Sequence, residues 1–77
     1  MTRVRFFAEA EEAVGTDAQE RSEATLGQLR AALLAEHPGL TGILPRCAVL
    51  VGGSRVDDDH PLTVDDVVDV LPPFAGG

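Results

Sequence analysis

The chain has 77 residues and a mass of 8.1 kDa, which allows one domain and leaves little room beside its core for the cleft of an independent multistep enzyme. Hydrophobic residues make up 44% and charged residues 25%, the balance of a folded soluble domain rather than a disordered tail. Thirteen acidic against six basic residues give a net charge of −7, which argues against nucleic acid or a membrane surface as partner and for a protein with a basic face. No apolar run approaches the roughly 20 residues of a bilayer span, and no basic segment followed by an apolar one marks a secretory leader, so the expected location is cytoplasmic. All six basic residues are arginines; the chain has no lysine to which its own activated terminus could be linked. The lone Cys47 forms no internal disulfide or zinc site and reads as a small buried hydrophobe.

From the start of the chain, Val4, Phe6 and Ala8 alternate with Arg3, Arg5 and Phe7, predicting a strand over residues 2–8 with one core face and with Phe7 on the other. Ala10, Ala13 and Val14 then recur at helical spacing before Gly15, a short helix closed by a left-handed glycine. The polar stretch 16–24 contains an edge strand, charged as edges are when they avoid adventitious pairing. Thr25-Leu26-Gly27-Gln28 has the form of a capping box, and Leu26, Leu29, Ala32 and Leu33 give the helix it opens one apolar face, stopped at His37-Pro38-Gly39. Ile43 and Leu44 pack inward along a connection to a strand over residues 47–51, which turns at Gly52-Gly53 into a short return strand, Ser54-Arg55-Val56.

Asp57-Asp58-Asp59-His60-Pro61 and Thr63-Val64-Asp65-Asp66 are turns around the anchor Leu62. Their carboxylates lack the spacing and the glycine of a calcium loop and read as solvated, and no metal site is expected. His37 and His60 read as surface residues beside prolines. The last strand, residues 67–71, turns Val68 and Val70 inward. The order strand, strand, helix, strand, short strand, strand predicts an α+β roll, a sheet covered on one face by one main helix.

Pro72-Pro73-Phe74-Ala75-Gly76-Gly77 follows that strand directly. The proline pair favours an extended form at about 3.1 Å per residue, so six residues could reach roughly 19 Å from the domain. Gly76 and Gly77 would let backbone enter a narrow channel, and the group arriving at its end is a carboxylate, ionised near neutrality. Such a carboxylate can attack the α-phosphate of ATP but must be activated before a nucleophile can attack it. The domain boundary is accordingly drawn at 1–71 for the roll and 72–77 for a flexible Gly-Gly tail.

The chain resembles the small sulfur-carrier subunit of molybdopterin synthase, a ubiquitin-like β-grasp family. The matching stretches are Val4-Arg5-Phe6-Phe7-Ala8, Val14-Gly15-Thr16-Asp17, Thr25-Leu26-Gly27-Gln28-Leu29-Arg30, Asp59-His60-Pro61-Leu62 and, above all, Asp69-Val70-Leu71 with the six tail residues. The resemblance implies a β-grasp fold with a mixed sheet of four to five strands. It also implies a non-catalytic co-substrate whose Gly77 is adenylated by a ubiquitin-activating-like adenylyltransferase and converted to a thiocarboxylate with sulfur from a donor protein. The tail, with Pro72, Pro73, Phe74, Ala75 and Gly76, would enter the large synthase subunit and give sulfur to a pterin precursor. ATP is consumed by the activating partner, and no cofactor is bound by the chain. Alternatives are sulfur delivery to thiazole, tRNA or another metabolite, and attachment to target proteins as a modifier. With the first and last strands adjacent, Phe7 and Leu71 would form a docking patch at the base of the tail.

Overall fold

The computed structural model describes residues 1–73, and the expectations for Phe74, Ala75, Gly76 and Gly77 lie outside the described residues. Strand β1 (Thr2–Phe6) is followed by helix α1 (Ala8–Val14), strand β2 (Ala18–Arg21), helix α2 (Leu26–Glu36), strand β3 (Ala48–Val51), strand β4 (Ser54–Arg55) and strand β5 (Val67–Leu71). The five strands form one sheet in the order β2-β1-β5-β3-β4. β1 and β5 are parallel at its centre, and the other pairs are antiparallel. This is the α+β roll expected from the order of elements, in the β-grasp form that the resemblance implies.

Alternation decides which face each strand buries. Val4 and Phe6 of β1, Val68 and Val70 of β5, and Val49 and Val51 of β3 point under α2, where they meet Leu26, Leu29 and Leu33. Ala10 of α1, together with Leu40, Leu44 and Cys47 from the connection after α2, completes the core. Two short 3-10 turns, Pro38–Leu40 and Leu44–Arg46, bring Leu40 and Leu44 inward; Ile43 only packs against the core edge. α2 opens as its sequence dictates: the Thr25 hydroxyl accepts from the Gln28 N–H at 3.2 Å, and the Gln28 side chain accepts from the Ala24 N–H at 3.2 Å. Its next free N–H groups are met from outside the helix, Leu26 donating to the His60 carbonyl and Gly27 to the Asp58 carbonyl. The turn at residues 57–60 therefore serves as the helix cap as well as a solvated loop, and Asp58 also lies 3.0 Å from Arg30. His37 and His60 are both half-buried rather than surface residues: the His37 N–H still donates to the Leu33 carbonyl at the end of α2, and the His60 carbonyl accepts from Leu26 at its start. Gly52 and Gly53, at φ 58° and 83°, form the tight turn between β3 and β4.

Four residues of the expected strands fall outside the observed ones: Phe7 and Ala8 after β1, Cys47 before β3 and Val56 after β4. Ala8 does not continue the buried face of β1: it is exposed, starts α1, and has φ 51°, a left-handed value that side chains disfavour. β1 ends early because the Phe7 carbonyl already accepts from the N–H groups of Ala10 and Glu11, which turns the chain into α1 one residue after the sheet. At the other end of the helix Gly15, φ 90°, donates to the Glu11 carbonyl as a left-handed cap with open space around it.

The edge strand β2 is tied to the end of α2 by Arg21. Its guanidinium donates to Glu23 at 3.0 and 2.7 Å and to Glu36 at 2.8 Å twice. The hydrogen bond from Arg21 is the main cause holding both carboxyls below their ordinary 4.5. A carboxyl with a depressed folded pKa contributes stability above its unfolded pKa and loses it as the pH falls through the folded value. Arg21→Gln should therefore lower the unfolding free energy at neutral pH, and urea titrations should show the gap to the parent closing as the pH falls below the ordinary carboxyl value of 4.5. The two left-handed ends of α1 should respond with opposite signs. Ala8→Gly should raise stability by about 0.5 kcal/mol and Gly15→Ala lower it by about 1 kcal/mol, read from thermal or urea midpoints.

Candidate functional site

Because β1 and β5 run parallel with Phe6 opposite Val70, both strands end at the same pole of the sheet. β3 starts there, with Ala48 opposite Leu71. Phe7 is fixed at this pole from two directions: its N–H donates to the Val70 carbonyl at 3.2 Å, and its carbonyl holds the first turn of α1. Pro72, immediately after β5, is buried, and Pro73 is exposed. The chain thus stays against the domain for one residue past the last strand before it reaches residues 74–77.

The face of the sheet turned away from α2 carries the residues that alternate with the core. Phe7, Leu71, Ala48 and Leu50 are each half-buried and form an apolar strip across β1, β5 and β3 at and just below the base of the tail. Phe7 follows β1 and Leu71 ends β5 at the same pole, the Phe7 N–H donating to the Val70 carbonyl next to Leu71. Ala48 and Leu50 were missed from the sequence, although their alternation with Val49 and Val51 was the available signal; what the sequence lacked was the register that sets β3 beside β5.

Charge crosses the same face in matched pairs. Arg5 of β1 donates from Nε to Asp69 Oδ1 at 2.6 Å and from Nη2 to Asp69 Oδ2 at 2.8 Å, a two-pronged fork between parallel strands. The guanidinium carbon of Arg5 lies 5.7 Å from the centre of the Phe7 ring, within cation–π range. Arg3 meets Glu20 of β2 at 3.0 Å. Beside the strip, the exposed Glu9, Glu11 and Glu12 of α1 and Asp17 of the following loop make an acidic rim, in part because acidic residues at the start of α1 suit its dipole.

Cys47 is buried, its Sγ donates to the Ile43 carbonyl at 3.3 Å, and burial pushes the thiol pKa up, away from reactivity. Among the described residues, no three His, Cys, Asp or Glu side chains gather as a metal-ligand group, and no helix is long and apolar enough to cross a membrane. A hollow of about 210 Å³ between Thr2, Arg21, Leu62 and Val64 sits at the opposite pole, where Thr2 already donates to the Thr63 carbonyl and Arg21 is held by its carboxylates. The described residues thus form a sheet whose open face carries an apolar strip next to Pro72 and Pro73.

The ThiS family model matches residues 4–77. The chain belongs to the ThiS family. It is 38% identical over 81 aligned positions to the molybdopterin synthase sulfur carrier subunit of Escherichia coli (strain K12), with all of both chains covered. Among solved structures it resembles a complex of subunits 1 and 2 of the molybdopterin-converting factor from Helicobacter pylori 26695, at TM-score 0.72 and 32% identity, covering 99% of this chain and 97% of that one. It also shares the fold of the small archaeal modifier protein 1 from Methanosarcina acetivorans, at TM-score 0.83 and 21% identity, covering 99% and 95%. As a ThiS-family protein the chain is a ubiquitin-like β-grasp carrier related over its whole length to molybdopterin synthase sulfur carriers.

Proposed function

We propose that the chain is a non-catalytic co-substrate that carries sulfur on its C-terminal glycine for molybdopterin synthesis in the cytoplasm. The observation that carries this reading is the family match, which continues through the terminal Gly76-Gly77, together with whole-length similarity to a molybdopterin synthase sulfur carrier. Gly77 supplies the reacting carboxylate. On a ubiquitin-activating-like adenylyltransferase it attacks the α-phosphorus of ATP, pyrophosphate leaves, and an acyl-adenylate forms. A persulfide on a donor protein then displaces AMP at the acyl carbon to give an acyl disulfide, and a thiol cleaves its S–S bond, ending as a disulfide with the donor sulfur and releasing the thiocarboxylate. In the large subunit of molybdopterin synthase the thiocarboxylate gives its sulfur to a pterin precursor, and hydrolysis returns the carboxylate.

The position of the apolar strip supports a docking role for Phe7 and Leu71. Half-exposed apolar side chains beside a reacting chain end are what a partner can bury, whereas the acidic rim favours approach to a basic surface. The tail residues Pro72, Pro73, Phe74, Ala75 and Gly76 would then serve as the inserted spacer. The solved subunit complex of a relative makes the large subunit the first partner to test.

Incubation with the cognate activating enzyme, ATP and a sulfur donor should raise the intact mass by the exchange of one oxygen for sulfur, and deletion of Gly77 should abolish the shift. No shift under conditions that convert a known carrier would refute the reading, and amide-linked adducts on lysines of other proteins would assign a modifier instead. Phe7→Glu should weaken binding to the large subunit by at least about tenfold while leaving the circular dichroism spectrum unchanged; unaltered affinity would remove Phe7 from the interface.

A further inference from the structure

We infer that Asp69, through Arg5, positions the Phe7 ring as a pre-set docking anchor at the base of the tail. The inference rests on the proposed docking role of this face and adds a device to it. Asp69 lies on β5, which is paired on both sides, by β1 and by β3, so its carboxylate starts from the most constrained backbone in the sheet. Its side chain is 17% exposed, against 49% for Arg5. The fork from Arg5 uses both carboxylate oxygens, which fixes the plane of the guanidinium and not merely its distance. Two residues further along the same face of β1, the Phe7 ring lies against that guanidinium. Its backbone is already pinned by Val70 and by α1.

An ion pair this exposed contributes little to folding, and the core beneath it is made by Val4, Phe6, Val68 and Val70 without its help. Its effect falls on the ring. A half-buried aromatic on an open sheet face has only two side-chain torsions to lose, and the guanidinium held 5.7 Å from the ring centre restricts them before any partner arrives, so less entropy is lost on docking. The fork also cancels the charge of both members in the middle of the strip, leaving a face an apolar partner surface can cover without stranding a carboxylate.

The test is a double-mutant cycle on the full chain, with affinity for the purified cognate large synthase subunit measured by calorimetry. Asp69→Asn removes the charged fork and Phe7→Leu removes the ring. Asp69→Asn should weaken binding about three- to tenfold, and Arg5→Lys, which keeps the charge without the fork, should weaken it comparably. In the Phe7→Leu background, Asp69→Asn should change affinity less than about twofold. Ring carbon relaxation in the free protein should show faster side-chain motion of Phe7 in Asp69→Asn with the thermal midpoint essentially unmoved, a signature that a purely structural role would not produce. Additive losses in the cycle would mean that Arg5 and Asp69 touch the partner directly and would overturn the inference, as would an unchanged affinity of Asp69→Asn while Phe7→Leu binds weakly. If Phe7→Leu and Leu71→Glu both bind as the parent does, the docking reading itself fails and the inference falls with it.

Discussion

The parallel pairing of β1 with β5 is the constraint on which the rest of the molecule depends. Strands from the two ends of the chain lie side by side at the centre of the sheet and point the same way, so every other element must fit into the crossover between them. That crossover supplies α2 for one face, and among the described residues no second helix of its length covers the other. The sheet is therefore buried on one side and open on the other, and the pairing also decides where the open side becomes apolar. It sets Phe7 beside the end of β5, and the antiparallel addition of β3 then sets Ala48 against Leu71. Slipping β5 by one residue would exchange Val68 and Val70 for Val67, Asp69 and Leu71 at the core. The core contacts of Val68 and Val70 thus keep the strip and the fork on the outside.

Much of this was legible because local chemistry and burial agreed. Alternating valines marked β3 and β5, the Thr25 and Gln28 cap marked the start of α2, and Gly15 and Gly52-Gly53 marked turns that need left-handed backbone. Ala8 misled because its alternation with Phe6 is a strand signal, whereas the Phe7 carbonyl is taken by the first turn of α1; a competing hydrogen bond overrode the pattern. The turn at residues 57–60 looked merely acidic, since nothing local reveals that its carbonyls would serve the start of a helix more than 30 positions earlier in the chain. The same limit applied to the candidate site. Phe7 and Leu71 stood out by being apolar on the outward side of their strands, but Arg5 and Asp69 are 64 positions apart and meet only through the strand register.

The net charge of −7 gains a distribution from the fold. On the open face Arg3 and Arg5 are each matched by a carboxylate, Arg55 stands opposite Leu50, and the surplus of acid lies on α1 and on the turns. The two parts act over different ranges. Unpaired surface charge acts at up to about a Debye length, roughly 8 Å at physiological salt, and governs encounter rates. The apolar strip acts only on contact and governs how long a complex lasts. A salt series on any complex of this chain would change mainly the association rate, whereas substitutions in the strip would change mainly dissociation.

That separation suits the proposed work of the protein. One chain end cannot occupy an adenylating site and a synthase channel together, so a carrier that visits both must leave the first before it serves the second. A strip of four side chains is small beside the roughly 800 Å² per partner of a stable interface, which favours release. Speed of approach can be kept by the acidic rim without lengthening the stay. The stability of the domain is left out of this compromise, because the residues that hold it, from Val4 to Val70 beneath α2, lie on the opposite side of the sheet from the strip proposed to dock. Affinity for successive partners can thus be tuned on one face without disturbing the fold maintained by the other.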